Sequence, residues 1–107
     1  MAFYELRRYR VRDGRMQNWL QLMETQILPF VVSEGMVVTA SYCDQEDDSL
    51  YYWIRRFHSE DDRIRLYAAV YESEYWTKTL APQIGELLDR EQIVIRRLVP
   101  TEKSPVQ

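Results

Sequence analysis

Apolar and polar residues alternate along FYELRRYRV, residues 3–11, and that period of two predicts a strand. Arg12-Asp13-Gly14 reads as a turn, with Asp13 placed to cap a helix. Met16, Trp19, Leu20, Met23, Ile27, Phe30 and Val31 then recur at helical spacing for about five turns, as one buried stripe. Pro29 lacks an N–H and disfavours helical geometry at Leu28, so a kink or break is expected before Gly35 closes the segment. Met36–Cys43, rich in Val and Thr, predicts a second strand, and LYYWIRRF, residues 50–57, a third, joined by the polar loop 44–49. A second helix opens at Ser59, with Asp62 three residues on as a variant capping box and Glu60 and Asp61 favourable to its dipole. Its stripe is Ile64, Tyr67, Ala68 and Tyr71, with Tyr75 a turn further. Ser73–Trp76 ends that helix or begins another turn. Pro82 suits the start of a short third helix carrying Ile84, Leu87 and Leu88. Gln92–Val99 is the last strand, stopped by Pro100, and 101–107 reads as a flexible tail after a single domain over 1–100.

Strand, helix, strand, strand, helix, strand is the ferredoxin-like βαββαβ order, an α+β fold. It implies a four-stranded antiparallel sheet, ordered 4-1-3-2, with both main helices on one side. Alternation divides the first strand into Tyr4 and Leu6 against Phe3, Glu5, Arg7, Tyr9 and Val11, and the third into Leu50, Tyr52 and Ile54 against Tyr51, Trp53, Arg55 and Phe57. Assigning the more aliphatic sets to the helices leaves Phe3, Tyr9, Tyr51, Trp53 and Phe57 on the open face, a larger aromatic patch than monomers usually show. Either a second copy of the chain or single-stranded RNA, as on the RNA-recognition fold of the same topology, would cover it. The doublets Arg7-Arg8, Arg55-Arg56 and Arg96-Arg97 favour RNA. Against it, alternation splits each doublet between the faces and the third strand lacks the glycines of the RNA-binding signature, so self-association is preferred.

Composition narrows the classes. A chain of 107 residues makes one domain with a modest core. Its net charge of −3 argues against a nucleic acid partner, whose affinity rests on neutralised phosphates. The strand pattern starts at Phe3 and no stretch is apolar enough to span a bilayer, so a cytoplasmic protein without a membrane partner is expected. One cysteine, Cys43, and one histidine, His58, exclude an internal disulfide and a clustered Cys/His metal site. Asp44, Glu46 and Asp48 alternate like the start of a calcium loop, but Ser49 and Arg55 stand where that loop needs Gly and Glu. No metal is expected.

Glu5, Arg7 and Tyr9 share one strand face, with Trp53 and Arg55 on a neighbouring strand, so a carboxylate, two guanidinium groups and a phenol converge. Arginine forks suit a carboxylate or enolate ligand, and a desolvated carboxyl can become an acid or base. The plainer reading pairs Glu5 with an arginine to neutralise charge trapped at an interface. His58, at the end of a strand, is either a surface residue before the helix cap or a proton shuttle over a pocket. Cys43 lies beside acidic residues that disfavour a thiolate. The sequence contains no phosphate loop, dinucleotide fingerprint or nucleophile triad.

Phe3-Tyr4-Glu5-Leu6-Arg7-Arg8-Tyr9 followed by Gly14 and Trp19 resembles the opening motif of the NIPSNAP family, in which a YELRxY strand leads through a glycine turn into the first helix. The resemblance continues through Tyr52–Phe57, Arg63 and Ser73-Glu74-Tyr75-Trp76, with Asp13 where members often have proline. It implies a single-domain, bacterial-type member and a dimeric α+β barrel, two subunits pairing sheet to sheet, with a cavity beneath each subunit's helices or between the sheets. Trp76, which packs under the second helix, also suits a cavity mouth. The wider superfamily includes cofactor-independent monooxygenases, polyketide cyclases and haem enzymes, but His58 flanks a strand where haem-binding relatives use a helix, so no cofactor is expected. Two readings remain: a homodimeric module that binds a small apolar or acidic molecule through Glu5, Arg7, Tyr9, Trp53, Arg55 and Trp76, and a cofactor-independent enzyme acting on a phenolic or polyketide-type substrate.

Overall fold

The computed structural model describes residues 1–107. Strands β1 (Phe3–Val11), β2 (Val37–Cys43), β3 (Leu50–Phe57) and β4 (Leu88–Leu98) form one antiparallel sheet in the order β2-β3-β1-β4, the predicted order counted from the other edge. Between β1 and β2 the chain is helical from α1 (Met16–Leu22) through a wider π-helical turn, Met23–Ile27, into α2 (Leu28–Ser33). Between β3 and β4 lie α3 (Glu60–Tyr71) and a second π-helical stretch, Tyr75–Leu80, that continues into α4 (Ala81–Leu87).

Pro29 does not end the first helical stretch. The π-helical turn shifts the hydrogen-bond register just ahead of it, and Pro29 falls in the first turn of α2, where a missing N–H costs nothing. The stretch closes at Gly35 as expected, where a φ of 104° lets its N–H reach the Val32 carbonyl and that of Met36 reach Val31. Asp13 does not cap α1. Gly14, at φ 71°, extends the turn so that the helix starts after Arg15, with no side-chain cap. The capping box of α3 forms as expected: Ser59 Oγ accepts from the Asp62 N–H at 3.1 Å and Asp62 reaches back to the N–H of His58.

One boundary and one helix face differ from the pattern reading. The strand β4 begins at Leu88 rather than Gln92, because Leu88 pairs with Val11 and Asp89 with Arg10 before an irregularity resets the register at Val94. The charged run Asp89-Arg90-Glu91 hides this start. On α3, Leu66 and Val70 are fully buried while Ile64 is 53% exposed, so the helix is rotated from the expected stripe. Its half-buried Tyr67 and Tyr71 turn their hydroxyls to polar partners on the sheet.

The larger correction concerns the two faces of the sheet. Phe3, Tyr9, Tyr51, Trp53 and Phe57 lie beneath the helices in the core, and Glu5 and Arg55 are buried with them. Leu6, Arg8, Tyr52, Ile54 and Arg56 point the other way. Aliphatic character misleads here because an aromatic side chain buries far more surface, and the Glu5 carboxylate pairs with both Arg7 and Arg55 on that face. The protein's own helices, not a second subunit, cover Glu5, Arg7 and Tyr9. An RNA platform built on Tyr9, Trp53 and Phe57 is excluded by the same placement. Each arginine doublet is split as alternation requires, with Arg7, Arg55 and Arg97 on the helix side and Arg8, Arg56 and Arg96 outside. On the outer face the C-terminal residues fold back, so that the Gln107 carbonyl accepts from the Tyr4 hydroxyl at 2.8 Å and from Arg56 at 3.1 Å.

Candidate ligand-binding site

Twisting strands and two widened helical turns leave a cavity of about 520 Å³ between the sheet and the helices. Its floor is Arg7 and Tyr9 from β1 with Trp53 from β3. One wall is Trp19, Met23 and Ile27, and the other is Tyr71, Trp76, Thr77, Ala81 and Ile84. Leu88, Arg90 and Ile93 of β4 form the rim. Both π-helical turns contribute to the lining, Met23 and Ile27 from the first and Trp76 and Thr77 from the second. Such turns splay a helix locally and recur at functional sites.

Of the residues singled out from sequence, Arg7, Tyr9, Trp53 and Trp76 line this cavity, while Glu5 and Arg55 lie behind it. Glu5 is the hub. Its Oε1 accepts from Arg7 Nε at 2.9 Å and from Arg55 Nη2, and its Oε2 accepts from the Tyr67 hydroxyl at 2.6 Å. Arg7 Nη2 also donates to Tyr67 at 2.9 Å, and its Nη1 to Tyr9 at 3.3 Å. Arg55 Nη1 donates to the Tyr71 hydroxyl at 2.6 Å, and its guanidinium stacks over Trp53 at 4.6 Å.

Burial alone would raise the Glu5 carboxyl, but Arg55, the Tyr67 hydroxyl and Arg7 hold it at about 2. Burial likewise works against charge on Arg7 and Arg55, and is outweighed by the phenols and the carboxylate around them. Burial raises the Tyr71 phenol, which stays neutral. One carboxylate and two guanidinium groups therefore leave a net charge of +1 beneath the cavity. The hydroxyls of Tyr9 and Tyr71 accept from arginine and have no protein acceptor for their own protons. The indole N–H groups of Trp19 and Trp53 are buried without a partner. Cationic and donor-rich, the floor can receive an oxygen anion.

Tyr67, Tyr71 and Trp19 were legible only as core stripes. The available signal was that the second helix carries tyrosines at i and i+4, where an ordinary core face would carry leucine. His58 is exposed and outside the cavity, and Cys43 is exposed on β2. The structure contains no grouping of side chains able to hold a metal ion and no helix long and apolar enough to cross a membrane.

Solved structures of the same fold extend over nearly the whole chain. A NIPSNAP family protein from Agrobacterium tumefaciens superposes with a TM-score of 0.90 at 23% identity, covering 100% of both chains. A second NIPSNAP family protein of unknown function from that organism gives 0.88 at 23% identity over 99% of this chain and 94% of the other. A NIPSNAP-like domain protein from Burkholderia xenovorans gives 0.87 at 17% identity, covering 97% and 89%. No curated protein matches the sequence. The NIPSNAP profile matches residues 4–105, a span that contains the strands and helices framing the cavity, and the chain thus belongs to the NIPSNAP family.

Proposed function

We propose that the protein binds a small, largely apolar molecule carrying an acidic group in the cavity over Arg7. The observation that carries this reading is the lining itself: aromatic and aliphatic side chains surround two arginines, Arg7 and Arg90, and none of the chain's 17 acidic residues is among them. A carboxylate or enolate set against Arg7 balances the excess positive charge and gives the Tyr9 and Tyr71 hydroxyls an acceptor. All three tryptophans line the cavity and report occupancy directly. Titration of their fluorescence with aromatic and straight-chain carboxylates is expected to show saturable quenching. Arg7→Gln should weaken binding about tenfold, the loss of one charge-assisted pair. Equal affinity for each acid and its methyl ester would remove the reading.

The same two hydroxyls favour a second reading, a cofactor-independent enzyme acting on a phenolic or polyketide-type substrate. In support of it, the Tyr71 hydroxyl accepts from Arg55 and keeps its own proton, which on this reading passes to an enolate oxygen of the substrate.

We also propose that the outer face of the sheet pairs with a second copy of the chain. Tyr42, Val37 and Leu98 are 59%, 50% and 45% exposed there, around the half-buried Leu6 and Ile54. Sedimentation velocity at micromolar concentration should give a dimer, and Ile54→Glu, at the centre of that face, a folded monomer. A wild-type monomer would dispose of this pairing.

A further inference from the structure

We infer that the cavity selects a ligand with acidic groups at both ends, the inner one held by Arg7 and the outer one by Arg90. The inference rests on the binding reading above and specifies its ligand. The two arginines occupy opposite depths. Arg7 lies on the sheet with its side chain 13% exposed, tied by Nε to Glu5, whereas Arg90 is exposed on the rim. An acid at the floor satisfies Arg7 and leaves Arg90 facing the opening alone.

Arg90 is held in place. Its Nη2 donates to the Ala81 carbonyl at 2.7 Å, and its guanidinium rests 3.5 Å from where a side chain on Gly85 would begin. That is ordinary van der Waals distance, so the guanidinium lies along α4, with the Ala81 carbonyl fixing its place beside the mouth. Although Glu86, Asp89 and Glu91 are close in sequence, Arg90 forms no ion pair with any of them. Its remaining N–H groups are available to a ligand. Apart from the two cations, the lining is aromatic and aliphatic, with Thr77 and the hydroxyls of Tyr9 and Tyr71 as its other polar side-chain groups. The complementary molecule is apolar in its middle and anionic at its ends.

The test compares straight-chain dicarboxylates, hexanedioate to dodecanedioate, with the monocarboxylates of equal length, read by tryptophan fluorescence on the wild-type protein. The best-fitting dicarboxylate should bind about three- to fivefold more tightly than its monocarboxylate, the contribution of one partly exposed ion pair. Arg90→Gln should remove that advantage, lowering dicarboxylate affinity about three- to fivefold more than monocarboxylate affinity, and Arg90→Lys should retain part of it. Equal binding of the two series by the wild type, or an equal loss of both in Arg90→Gln, overturns the role of Arg90 but leaves the Arg7 site standing. Failure of every acid to bind overturns both.

Discussion

Replacing Glu5 by glutamine should destabilise the protein by about 3–5 kcal/mol, because it leaves two buried guanidinium groups without a counter-charge. Replacing Arg55 by methionine should cost less, about 1–3 kcal/mol. The asymmetry follows from the charge count. Without Arg55, Glu5 still faces Arg7 and the Tyr67 hydroxyl, so one negative and one positive charge remain in balance. With glutamine, Arg7 and Arg55 repel one another across the same small volume, and a single amide oxygen replaces the two carboxylate oxygens that accept from Arg7, Arg55 and Tyr67. Urea denaturation of the two variants decides the matter. A loss in Arg55→Met equal to or larger than that in Glu5→Gln would show that packing of the guanidinium against Trp53, rather than charge balance, sets the energetics.

Acid should produce a related loss in the unaltered protein. The folded Glu5 carboxyl titrates at about 2 against an ordinary 4.5, so it contributes fully above about pH 5 and loses that contribution as the pH falls towards 2. At about 1.4 kcal/mol for each tenfold step in proton affinity, the difference amounts to about 3 kcal/mol. Asp44, Asp47, Glu60 and Asp62 are also held low by their hydrogen bonds, and they remain in Glu5→Gln. Subtracting the stability curves of wild type and variant between pH 2 and pH 7, a range spanning both titrations, isolates the Glu5 contribution. Parallel curves would mean that Glu5 titrates normally in the folded protein.

Much of the fold is legible in local pattern. Alternation in FYELRRYRV and LYYWIRRF and the Ser59 cap depend on neighbours in sequence, the strand order follows from the βαββαβ succession of elements, and each appears in the structure. The choice of buried face is different. Alternation states which residues lie together but not which way they point, and hydropathy ranked Leu6 and Ile54 above Glu5 and Arg55. What reverses the order is pairing across long separations, Glu5 with Arg55 and Tyr67, which no local window contains. Part of the site was visible for the same reason. Arg7, Tyr9 and Trp53 share a face by register, and their meeting follows from pairing β1 with β3. The opposite walls come from π-helical turns that helical periodicity cannot forecast, and Arg90 belongs to a strand whose start its charge conceals.

The arginine doublets, one member inward and one outward, also bear on how the sheet assembles. A single-residue slip of β1 against its neighbours would turn Glu5 and Tyr9 to the outside and bring Arg8 and Leu6 beneath the helices, facing Arg55 with no carboxylate. Many sheets distinguish right from wrong pairing only by hydrophobicity, and a slipped β1 here would still offer apolar residues to the core. The ion network withholds its stability from every pairing except the one that builds the cavity. The residues proposed to receive a ligand thus also act as a checksum on strand registry, and a chain that has folded has already verified the cavity they line.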